Sequence, residues 1–81
     1  MTLGEERVRV SFNPSGDSAV DRIKQLTADL IDLVNALPDH GDGETKRTKA
    51  LAMTEFESAA HWAVKAATAQ PKTVKARDLI P

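Results

Sequence analysis

The stretch AMTEFESAAHWAVKAAT, residues 52–68, carries its apolar side chains in two neighbouring helical rows. Met53, Phe56, Ala60, Ala63 and Ala67 recur at spacings of three and four and form one seam. Ala52, Ala59 and Ala66, seven residues apart, sit beside that seam, and Leu51 and Trp62 carry the apolar arc further round. An arc well beyond the usual stripe of about 100° is more than one neighbouring helix covers. The alanines sharpen the point, because small side chains let helices approach closely. The pattern predicts a helix from Glu44 to Ala69, ended by Gln70-Pro71, that packs on one helix of its own chain and on further copies of the chain.

The partner within the chain lies upstream, in VDRIKQLTADLIDLVNAL, residues 20–37. From Asp17 to Leu37, the residues Ala19, Ile23, Leu26, Leu30, Leu33 and Leu37 alternate spacings of four and three, which lays them along one seam. Val20, Ile31 and Val34 widen it, whereas Arg22, Gln25, Asp29 and Asp32 read as a solvated face. Pro38 and the run Asp39-His40-Gly41-Asp42-Gly43 stop this helix and form a loop. The expected fold is all-α: a two-helix hairpin that assembles into a compact homo-oligomeric helical bundle.

Ahead of the hairpin stands RVRVSFNPSG, residues 7–16. Val8, Val10 and Phe12 alternate with Arg7, Arg9 and Ser11, a strand-like spacing with no second strand to pair with. The reading is a short extended N-terminal arm packed against another copy of the chain. Asn13 or Ser15 then caps the first helix, with Pro14 tolerated in a first turn. Residues 1–6 and 72–81 are expected to be flexible or docking tails, with Val74, Leu79 and Ile80 able to dock.

With 81 residues, 41% hydrophobic and 28% charged, the chain holds a single domain. A domain this small buries only about 60% of its unfolded surface, so association would add needed stability. The absence of cysteine, of a signal-peptide core and of a membrane-spanning apolar run points to the cytoplasm. A net charge of −1, with bases scattered from Arg7 to Arg77, argues against duplex nucleic acid as a partner.

Marks of catalysis are faint. His40 and His61 are separated, no cysteine completes a zinc set, and His61 falls on the polar side beside Glu57 and Lys65 as a surface histidine. Asp29 and Asp32 share a helix face but read as solvated, and the acidic loop lacks the ligand spacing of a calcium site. The chain is expected to be no enzyme and to carry no cofactor or metal. The segment around Phe12 differs in kind: an exposed ring, an arginine and a helix N-terminus suit a base and its phosphate. Lys24, at the edge of the first helix's apolar stripe, could reach a ligand between chains, and Thr27 could donate a hydroxyl. The competing reading makes Phe12 a staple between arm and helix and leaves Arg9 solvated.

Taken together, RVRVSFNPSG, VDRIKQLTADLIDLVNAL and KALAMTEFESAAHWAVKAAT resemble the phage and prophage proteins that share the helical-hairpin domain of the anti-CBASS cyclic-nucleotide sponges, a domain also found in some Thoeris anti-defence proteins. The resemblance spans about residues 7–69. It implies a homohexamer that sequesters cyclic oligonucleotide signals in the bacterial host cell, without hydrolysis. It further implies an N-terminal aromatic stacked on a base and a first-helix lysine on a phosphate, which by position are Phe12 and Lys24. Arg9, Asn13 and Thr27 join them as ligand-binding candidates. Some members also hold cyclic trinucleotides, for which Arg47 and Lys65 are the candidates. The alternatives are a structural or regulatory hairpin that binds a protein partner, and a sponge for cyclic ADP-ribose-type signals.

Overall fold

Three helices lie within residues 1–69, the part of the chain that this computed structural model describes. They are α1 (Leu3–Val8), α2 (Ser18–Ala36) and α3 (Gly43–Thr68). The expected all-α hairpin is formed by α2 and α3, and α1 packs mainly on α2. The expected end at Gln70-Pro71 and the tail with Val74, Leu79 and Ile80 lie outside the described residues.

The N-terminal segment corrects the expectation of an extended arm. The Thr2 hydroxyl accepts the Glu5 N–H at 3.1 Å, and the Glu5 carboxylate accepts the Thr2 N–H at 2.9 Å. This capping box satisfies two free donors and starts a helix within residues expected to form a tail. Arg9 ends it in the left-handed region (φ 57°, ψ 56°), where its N–H reaches the Glu5 and Glu6 carbonyls. The alternation of Val8, Val10 and Phe12 is therefore the exit of a helix, with Val8 buried and Phe12 exposed. Local capping outweighed a strand pattern that had no partner.

The cap of α2 is Asp17, not Asn13 or Ser15: its carboxylate accepts the Ala19 N–H at 2.8 Å. Both earlier candidates brace that cap. Ser15 accepts the Asp17 N–H at 3.2 Å and donates to Asn13 Oδ1 at 2.7 Å, while the Asn13 amide donates to the Asp17 carbonyl at 2.9 Å. At the other end, Leu37 turns extended before Pro38. Lys49 of α3 donates to the carbonyls of Asn35 and Leu37, closing the hairpin.

Two apolar clusters make the core. One joins Val8, Ala28, Ile31 and Ala60, with Val10, Met53 and Phe56 against it; the other joins Ala19, Val20 and Ala67, with Ile23 and Val64. On α3 the buried side follows the expected Met53-to-Ala67 seam. On α2 the outcome differs: Val20 and Ile31 are buried, and Leu26, Leu30, Leu33 and Leu37 are exposed, Leu33 by 63%. α1 crosses α2 closely at Ala28, and the leucine seam faces away from the chain's own core.

Gly4 sets that close approach. A Cβ there would run into the Ala28 carbonyl of α2, and the Gly4 N–H donates to Asp32 Oδ1 at 2.8 Å. Asp32, expected to be merely solvated, thus anchors α1, and Arg7 ties α1 to Glu57 of α3 at 3.0 Å. Gly4→Ala should push α1 off α2 and lower stability by about 1–3 kcal/mol, the range for an overpacked contact. Urea unfolding measures this, and an unchanged midpoint would show that α1 contributes nothing to the fold.

Candidate functional site

A lysine occupies a core position of α2 between the two apolar clusters. Lys24 is only 8% exposed, and its ammonium donates to the carbonyls of Arg9, at 3.1 Å, and Phe12. These acceptors lie on the turn that leaves α1, where the Phe12 N–H in turn reaches the Arg9 carbonyl at 2.8 Å. The turn is thus held from inside by a cation. Burial, followed by the nearby charge of Arg9, holds the Lys24 pKa below the ordinary lysine value, and Asp21 offsets part of this.

The turn presents Phe12 at the surface, 52% exposed. The Arg9 guanidinium carbon lies 4.4 Å from the ring centroid and Lys24 Nζ 5.4 Å from it. Among the described residues, neither Arg9 nor Lys24 forms an ion pair with a carboxylate. Two cations without such a partner therefore meet at one exposed aromatic ring.

Two cavities adjoin that ring and share Phe12, Lys24 and Val64 as walls. The larger, about 220 Å³, adds Val8 and Arg9 from the N-terminal segment and Ala60 and His61 from α3. The smaller, about 150 Å³, adds the Asn13-Pro14-Ser15 turn, Val20 and Thr68. Each is below the roughly 300–1,000 Å³ of pockets that enclose a small molecule on their own.

The fold thus brings together Phe12, Arg9, Lys24 and Asn13 of the residues singled out from sequence. Thr27 stays on its own helix, its hydroxyl donating to the Ile23 and Lys24 carbonyls at 2.8 and 3.1 Å. Arg47 pairs with Glu44 at 2.7 Å near the start of α3, and Lys65 lies 5.5 Å from the Trp62 ring centroid. Neither Arg47 nor Lys65 lines the two cavities. His61, read from sequence as a plain surface histidine, is a cavity wall. Its signal was its place directly after Ala60, at the border of the buried seam.

The family model described as Acb2/Tad1, hairpin domain, matches residues 4–68. No curated protein and no solved structure matches the chain.

Lys24→Met tests the internal brace. An unbranched apolar side chain can take the core position, so the helices should persist, but the Arg9 and Phe12 carbonyls lose their donor. Hydrogen exchange at the Phe12 amide should speed up about tenfold, as expected for losing roughly 1.4 kcal/mol of charged hydrogen bonding. Equal protection in the two proteins would show that the turn holds without Lys24.

Proposed function

The chain belongs to the Acb2/Tad1 hairpin family, the anti-CBASS and anti-Thoeris sponge family, and from that premise we propose that it sequesters cyclic oligonucleotide second messengers, cyclic dinucleotides first. The messenger is held, not hydrolysed, so the immune effector it would switch on stays idle. The protein would serve a phage or prophage inside the bacterial host cell. The observation that carries this reading is the exposed Phe12 ring with Arg9 and Lys24 beside it. A base stacks on the ring, and the cations meet the two negative charges of a cyclic dinucleotide. Lys24 has a third N–H to give, since two are spent on carbonyls. Asn13 lines the smaller cavity and borders the base. Arg47 and Lys65, outside both cavities, remain the candidates for a separate cyclic trinucleotide site. Thr27 contributes only if its hydroxyl leaves its backbone acceptors.

The protein acts as a homo-oligomer, a hexamer by its family likeness. Leu26, Leu30, Leu33 and Leu37 form a heptad-spaced row on α2, and α3 exposes Leu51, Ala59, Ala66 and Trp62, the last by 68%. Apolar surface of this kind on a small domain favours burial against another copy. A second chain would also enlarge cavities that are too small alone. The same surface supports the rival reading of a hairpin that binds a different protein.

Isothermal titration with cyclic di- and trinucleotides and cyclic ADP-ribose isomers should give heat with at least one cyclic dinucleotide, and ligand recovered after denaturation should be intact. Phe12→Ala should weaken that binding by roughly 1–3 kcal/mol, the cost of a lost base stack. Silence across the panel would leave the protein-partner reading; a response to cyclic ADP-ribose isomers alone would move the ligand class. Sedimentation at micromolar concentration should show the wild type as an oligomer and Leu30→Glu/Leu33→Glu as a slower species with weakened binding. A dissociated variant that binds as well as wild type would refute a pocket shared between chains.

A further inference from the structure

We infer that Arg9 is a displaceable cover of the Phe12 ring, stacked on it in the free protein and exchanged for the base when a ligand enters. The inference rests on the proposed ligand class and adds a step to it. Its ground is the contrast between the two halves of Arg9. The backbone is pinned: φ is 57°, the N–H is bonded to the end of α1, and the carbonyl accepts from Lys24. A left-handed conformation is strained for a residue with a side chain, and glycine would hold it more easily. The side chain, by contrast, has no ion pair among the described residues and rests on the ring at 4.4 Å.

At that distance the guanidinium occupies ground that a base stacked on the same face needs. One ring face carries one stacked plane. Arg9 and Phe12 both belong to the wall of the larger cavity, so a base entering there to stack on the ring comes up against the guanidinium that lies over it. A surface cation–π contact is weaker than a base–aromatic stack, so the exchange runs in the ligand's favour. The displaced guanidinium remains tethered at the cavity wall by its fixed backbone, free to form a two-pronged contact with a phosphate. It also stops adding its charge to that of Lys24 without an anion nearby, a repulsion that acts on Lys24 in the free chain.

Nuclear magnetic resonance and stopped-flow binding with cyclic diadenylate test the exchange. In the free protein the Arg9 side-chain protons should be shifted upfield by the Phe12 ring, and the shift should vanish in Phe12→Leu. At saturation the upfield shift should be lost. Arg9→Gly, which suits the left-handed backbone and so keeps the turn, should bind faster because the cover is gone. It should also release the ligand at least tenfold faster because the phosphate contact is gone. Arg9→Lys should recover the charge but not the slow release. Upfield Arg9 protons that persist at saturation, or Arg9→Gly rate constants within twofold of wild type, would overturn the cover while leaving the sponge reading intact. Should cyclic diadenylate and the wider panel all fail to bind the wild type, the sponge reading falls and the exchange with it, even if the free-state shift is present.

Discussion

The structure turns on one buried cation. Lys24 stands where α2 would otherwise present an apolar residue to the core, and it divides that core into two clusters. A charge so placed must find acceptors, since an unsatisfied buried ammonium is costly. It finds them in the carbonyls of Arg9 and Phe12. The exit of α1 is therefore tied to the middle of α2, and the Phe12 ring is fixed at the surface as a consequence. Carbonyl dipoles solvate the ammonium without cancelling its charge. The site keeps a positive field, and burial together with the Arg9 charge holds the Lys24 pKa below the ordinary lysine value.

The hairpin was legible because both long helices obey their spacing. Residues Ala60 and Ala67 are buried where the α3 seam places them, and Asp42 and Pro38 bound the loop in line with cap and breaker chemistry. The rotation of α2 was less legible. Its four leucines, Leu26, Leu30, Leu33 and Leu37, fall on one regular seam, so that seam reads as the core. Gly4 reverses that choice: only a residue without a side chain lets α1 lie against Ala28, and this contact turns Ala28 and Ile31 inward. The first helix was missed for a related reason. Thr2 and Glu5 carry the capping signal, but α1 has six residues, and the alternation that follows it drew the reading instead.

Of the candidate site, residue types were readable and roles were not. Phe12 and Lys24 are both singled out by the sequence and lie together in the fold, yet their connection runs through main-chain carbonyls, of which a sequence gives no sign. His61 reads as a surface histidine because Glu57 and Lys65 share its side of α3, and it becomes a cavity wall only when a third element arrives. That element is α1 with its turn. Thr27 shows the converse: a hydroxyl inside the stripe satisfied itself on the backbone of its own helix.

If the proposed function holds, these contacts couple ligand and fold in a definite direction. The turn bearing Phe12 is held by Lys24, so any anion that favours the charged lysine also favours the turn. Whatever strengthens the turn in the folded state, and has no counterpart in the unfolded chain, stabilises the whole domain by mass action. The divided core limits how stable the free hairpin can be, and under the proposed function an anion at the Phe12 ring would add to that stability.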